Sequence, residues 1–215
     1  MIDGHDQDVA LMLRVQRGDR AAFESLVGKY RQPILGFVLR TLRDPDEAED
    51  IAQQVFVQVW KAAARYRVAS RFATWLFTIA RNLCLNELRR RGRHPTESLD
   101  APGPAGDAPP ERTFEDTRSP GVIGEVLLSE LDAKIEEALR DLPESQRSAL
   151  LLLREQELAY EDIARILGVS VSATKSLIHR ARETLKLRLK AYLRTGEWNA
   201  AAAGTPETTF PRARF

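Results

Sequence analysis

The side chains best placed to do chemistry lie in residues 160–190, YEDIARILGVSVSATKSLIHRARETLKLRLK. Ile163, Ala164 and Leu167 give a short first helix one apolar edge, and Gly168 then supplies a residue that tolerates positive φ where that helix must stop. Ser170 is a good N-cap for a second helix beginning at Val171. Along it Val171, Thr174, Ile178, Ala181, Leu185 and Leu189 recur three or four residues apart and predict one buried stripe. Off the stripe lie Lys175, Ser176, His179, Arg180, Arg182 and Lys186. A short helix, a glycine turn and a basic helix make a helix-turn-helix pattern. Its chemistry would be recognition of a polyanion: guanidinium and ammonium groups for phosphates, and a planar Arg fork for guanine O6 and N7. An ordinary helical hairpin with a solvated charged face fits this segment taken alone.

Two further clusters carry polar chemistry. Between Arg65 and His94, eight arginines stand against Glu87 alone, interleaved with Tyr66, Phe72, Trp75 and Phe77. These aromatics suit a packed core, and aromatics beside a basic helix also suit stacking on unpaired bases. The helix around residues 48–60 shows an acidic and amide-rich edge of Glu49, Asp50, Gln53, Gln54 and Gln58. Such an edge is either merely solvated or a dock for basic groups of a partner.

The charge balance separates these clusters. The chain as a whole is only +1, so overall charge makes no case for nucleic acid. Residues 95–141 hold twelve acids against four bases, so an acidic stretch divides the two basic blocks. Cys84 is the single cysteine, which excludes an internal disulfide and fits a reducing compartment. His5, His94 and His179 are scattered and offer no zinc spacing. There is no Walker-type loop, Rossmann glycine pattern or activated nucleophile, so the expectation is no enzyme, no cofactor and no metal. The polar N-terminus is unlike a signal peptide, and no apolar run is long enough to span a bilayer. The sequence therefore predicts a cytoplasmic protein without membrane insertion.

The elements that must position these clusters all carry helical periodicity. Residues 1–7 read as disordered, and helix is predicted from Asp8, with a Gly18-Asp19 turn before a second helix. Pro33 should kink or restart that second helix. Asp44-Pro45-Asp46 starts a third, whose predicted buried face includes Val55, Phe56, Val59 and Trp60. A loop over Tyr66 to Arg71 precedes a long helix from about Phe72 to Gly92. From His94 to about Pro120 the chain is rich in Pro, Gly and acids with no period, which predicts a flexible linker. Helix resumes near Val122 and again after Leu142-Pro143, leading into the helix-turn-helix; the tail after Thr195 has no apolar period and reads as disordered. The fold class is all-α: an N-terminal helical bundle (residues 8–94) and a C-terminal helix-turn-helix domain (122–194) on a loose acidic tether (95–121), with a disordered tail over 195–215.

Three blocks in this order resemble the extracytoplasmic-function (ECF) sigma factors, compact two-domain initiation subunits of bacterial RNA polymerase. AEDIAQQVFVQVW (48–60) is similar to the family's polymerase-docking helix, SRFATWLFTIARNLCLNELRRRGR (70–93) to the segment that opens and reads the −10 element, and residues 142–186 to the domain that reads the −35 element. The resemblance implies that Glu49, Asp50, Gln53 and Gln54 lie against the polymerase β′ clamp, with Gln54 standing where the family usually has Glu. It implies that the loop Tyr66–Arg71 captures a base, that Asn82 and Asn86 face the unpaired strand, that Trp75 is a family-typical Trp best explained by packing, and that Arg89, Arg90, Arg91 and Arg93 hold phosphates. Lys175, Ser176, His179 and Arg180 would enter the major groove. Ser172-Ala173-Thr174 replaces a common Gly-Thr-Val, and Leu177 replaces a frequent Arg. The implied partners are core RNA polymerase through its β′ clamp and β flap, promoter DNA, and an anti-sigma factor. The competing reading is an autonomous helix-turn-helix regulator, which explains the third block but neither of the others.

Overall fold

The computed structural model describes residues 4–93, 133–155 and 158–195, and among them there is no strand. Helix α1 spans Gly4–Gln16, α2 Arg20–Leu42 and α3 Pro45–Ala62; a 3-10 turn, Ala63–Arg65, follows. Helix α4 spans Phe72–Arg93. The C-terminal unit holds α5 (133–140), α6 (Glu144–Glu155), α7 (Tyr160–Leu167) and α8 (Val171–Thr195). The expected linker at 95–121, the helix start near Val122 and the tail beyond Thr195 lie outside the described residues.

The helix ends follow from local chemistry. The side chain of Asp19 accepts the Ala22 amide at 3.0 Å and that of Asp44 accepts the Glu47 amide at 3.2 Å, each satisfying an N–H left over at a helix start. Pro45 occupies the first turn of α3, where no amide hydrogen is needed. Gly168 ends α7 in the left-handed region (φ 69°), and the Ser170 hydroxyl accepts the Ala173 amide at 3.1 Å to start α8.

Two expectations about the N-terminal unit change. Helix α1 begins at Gly4, ahead of the predicted start at Asp8. Asp8 is buried and receives Lys29 Nζ at 2.6 Å and the Tyr30 hydroxyl at 2.5 Å, so the first turns are pinned to α2. Pro33 does not interrupt α2, which runs continuously through it. Tyr30, Ile34, Phe37 and Val38 are all buried on either side of the proline, and that packing outweighs one lost intrahelical bond.

The two units are not held apart. Helix α4 packs on α7 and α2 on α6, and one core runs through Phe37, Phe77, Leu152, Ile163 and Ile166. Polar contacts cross the same boundary. Thr74 Oγ1 donates to Asp162 Oδ1 at 2.9 Å, with both residues buried. Arg71 Nε lies 3.7 Å from the other Asp162 oxygen. Arg81 sits 3.8 Å from Glu144 and donates to the Ile166 carbonyl at 3.5 Å. Buried Arg147 of α6 donates to the Thr41 carbonyl at the end of α2, where helix carbonyls lack partners. Burial holds the Arg147 pKa below its ordinary value. The two-unit, all-α architecture is as the sequence predicts, and among the described residues the two units share a packed interface.

Candidate nucleic-acid interface

On α8 the predicted stripe faces inward: Thr174, Ile178 and Ala181 are buried, and Leu185 and Leu189 half-buried. Geometry at 3.6 residues per turn therefore turns Lys175, Ser176, His179 and Arg180 outward together, where all four are exposed and line one shallow groove. The Lys175 ammonium lies 5.8 Å from the Tyr160 ring centre and Ser176 bonds back to the Ser172 carbonyl. Leu177 is half-buried against the core, so its side chain is used for packing where a charged one would have met solvent. Arg188 is buried and ion-paired with Asp141, which removes one cation from the helix's basic face.

On α4 the predicted residues are differently placed. Asn82, Asn86, Arg89 and Arg90 are exposed along one edge. Arg90 nonetheless bonds Glu87 at 2.7 Å and Glu47 at 2.7 Å, and Arg91 bonds Glu87 and the carbonyl of Leu42. Glu87 is buried in this cluster, and the Arg90 bond holds its carboxyl below the usual carboxylate range. Tyr66 is buried, its ring edge-on to Trp75 at 5.0 Å and near Phe72 at 6.4 Å. Trp75 is half-buried in the same aromatic group. The aromatics around the loop thus pack on one another, and it is Arg65 and Arg67 that face solvent beside Tyr66. Burial pushes the Tyr66 phenol up, and its oxygen has no hydrogen-bond partner among the described residues.

On α3, Glu49, Asp50, Gln53 and Gln54 are all exposed on one edge. Glu49 and Gln53 border an apolar groove of about 400 Å³ shared with Phe23, Val27, Leu35 and Phe56 of α2 and α3. Trp60 is 40% exposed, not buried as its helical spacing predicts; it leans edge-on against Phe23 at 5.0 Å. The sequence reading missed this apolar contribution, because half-exposed aromatics at core spacing look the same as core. Gln16 was missed too: its side-chain amide donates to the carbonyls of Ala64 and Tyr66. Nothing in the spacing ties residue 16 to residues 64–66.

Comparison with known proteins places the chain in a family. Residues 26–94 match the family model Sigma-70 region 2, and residues 132–185 match Sigma-70, region 4. The chain is 39% identical over 189 residues to the RNA polymerase sigma-H factor of Pseudomonas aeruginosa, covering 88% of this chain and 97% of that one. It is 33% identical to the ECF RNA polymerase sigma-E factor of Haemophilus influenzae, over 85% and 95% of the two chains. A solved complex of the sigma factor RpoE with the anti-sigma factor NepR from Bartonella quintana matches with a TM-score of 0.60 and 25% identity, over 78% of this chain and 96% of that one. CnrH in complex with the cytosolic domain of CnrY shares the fold at a TM-score of 0.61 and 21% identity, over 86% and 97%. This chain belongs to the ECF RNA polymerase sigma factors of the sigma-70 superfamily. It directs promoter-specific transcription initiation.

Proposed function

We propose that the two units divide promoter reading between them. Lys175, Ser176, His179 and Arg180 of α8 read the −35 element in the major groove. The loop Tyr66–Arg71 with Asn82, Asn86 and Arg89 engages the unpaired −10 strand. Arg90 adds phosphate contact, and Trp75 supports the loop by packing. Glu49, Asp50, Gln53 and Gln54 dock the β′ clamp of core polymerase, and the C-terminal unit meets the β flap. The protein works in the cytoplasm, has no catalysis of its own, and is restrained by an anti-sigma factor. The observation that carries the −35 assignment is the common outward face of the four α8 side chains, next to a buried stripe that fixes their direction.

Both elements must be read at once. Sites centred near −35 and −10 are separated by about 25 base pairs, or roughly 85 Å at 3.4 Å per pair. A packed helical body of roughly 150 residues has a radius of gyration of only ~15 Å. With α4 seated on α7, the two reading helices are too close to reach both sites. Polymerase binding therefore separates the units, breaking the Thr74–Asp162 and Arg81–Glu144 contacts.

The test is transcription of a genomic fragment library by core polymerase with and without the purified chain. New start sites sharing two upstream elements support the reading. Tight binding of the chain to duplex DNA alone, with no new starts, supports the autonomous regulator instead.

A further inference from the structure

The end of α1 and the loop before α4 meet at one side chain. Gln16 is the last residue of α1, and its Nε2 donates to the Ala64 carbonyl at 3.3 Å and to the Tyr66 carbonyl at 3.2 Å. A side-chain amide has two N–H groups, and both are used on the turn. Those carbonyls bracket the point where the 3-10 turn ends and the chain becomes extended at Tyr66 (φ −58°, ψ 133°). Gln16 is therefore a strut between α1 and the exit of the turn.

That exit opens on an open hollow of about 520 Å³ lined by Gln16, Ala64, Arg65, Tyr66 and Arg67. Its size falls in the range of small-ligand sites. Arg65 and Arg67 are exposed beside it and suit a phosphate, while Tyr66 and its aromatic neighbours form a rigid floor. With both hydrogens committed to the loop, the Gln16 oxygen is the group it still offers, and an oxygen accepts from exocyclic amines of adenine or cytosine. A bond to a held base removes it from competition with water, so a missing acceptor changes the choice among bases.

We propose that Gln16 is a positioning residue for the base-capturing loop and sets which unpaired base the hollow of residues 64–67 accepts. The proposal rests on the assignment of this loop to the −10 element. Residue 16 lies outside the 26–94 stretch that matches sigma-70 region 2, so it belongs to no part of the site that match covers. Gln16 is exposed and on the last turn of its helix, so substitutions there leave the core intact.

The experiment uses the full chain with core polymerase on a promoter library randomised at each −10 position, with transcripts counted by sequencing. Wild type, Gln16→Glu and Gln16→Ala are compared, and amide hydrogen exchange of residues 64–71 is followed in each free protein. Gln16→Glu is nearly isosteric but has no N–H, so it separates the strut from the side chain's bulk. The expected result is a fall of about tenfold in base preference at one −10 position in both variants, with faster exchange over 64–71 and an unchanged −35 preference. Faster exchange with every −10 preference unchanged would reduce Gln16 to a structural strut and overturn the proposal. Unchanged exchange and preference would overturn it as well. If wild type itself shows no −10 preference, the loop assignment fails first, and the wild-type lane alone reveals that.

Discussion

Helices α4 and α8 are the two helices proposed to face DNA, and their polar side chains stand in different states. On α8, His179 and Arg180 point to solvent with no ion pair to either among the described residues, above a stripe of buried Thr174, Ile178 and Ala181. At the start of α4 and along it, several cations are already engaged: Arg71 with Asp162, Arg81 with Glu144, Arg90 with Glu87 and Glu47, Arg91 with Glu87 and Asp44. The lesson is one of order. A helix-turn-helix reads a duplex that needs no rearrangement, so its face is presented ready. On the proposed reading, Arg71, Arg81, Arg90 and Arg91 reach an opened strand only after giving up these internal pairs, which couples their release to arrival of the polymerase.

The largest test of this contrast is Asp162→Ala. It leaves the Thr74 hydroxyl buried without its acceptor and Arg71 without its counter-charge, and a bond to a charged group contributes about 1.5–3 kcal/mol. Urea unfolding should show a loss of about 2 kcal/mol, and small-angle scattering should show a larger mean radius. Unchanged stability and radius would mean that the inter-unit contact is not held by this acid.

Arg180→Ala tests the exposed side. Loss of a bidentate contact should cost about 1–3 kcal/mol of discrimination at one −35 base pair, with unfolding and core-polymerase affinity unchanged. An equal loss of polymerase affinity would show that the two surfaces are not separate. Arg90→Gln should act more gently. Arg90 itself is exposed, so unfolding should change little, while the salt dependence of promoter binding loses about one phosphate contact.

The smallest effect is in pH. Glu87 is held below its ordinary 4.5 by Arg90 first and Arg91 next. A group with a depressed folded pKa contributes stability that is present above its unfolded value and lost as pH falls through the folded one. The wild type should therefore weaken as pH drops below 4.5, and Glu87→Gln should flatten that part of the acid unfolding curve. A curve of unchanged slope would remove Glu87 from the acid response.

Much of this was legible in the amino-acid sequence, and for physical reasons. Helical period alone places Thr174 and Ile178 inward and His179 and Arg180 outward, because local geometry decides both. Asp44-Pro45 and Gly168 mark helix ends through caps that act within four residues. What stayed hidden depends on contacts far apart in the chain. The Thr74–Asp162 bond joins residues 88 positions apart, and Gln16 reaches the loop across 48 and 50 positions. Trp60 has core spacing yet stands 40% exposed, since periodicity gives a direction and not the presence of a neighbour. Pro33 sits inside a continuous helix because buried side chains around it override a local preference.

The central claim, that the two reading units are packed together until polymerase separates them, is best tested by a distance. Spin labels at Gln58→Cys on α3 and Glu183→Cys on α8, in a Cys84→Ser background, report it by pulsed electron resonance. The free chain should give one short, narrow distribution, and the complex with core RNA polymerase should lengthen it by several tens of ångströms. The same distribution in both states would contradict the account.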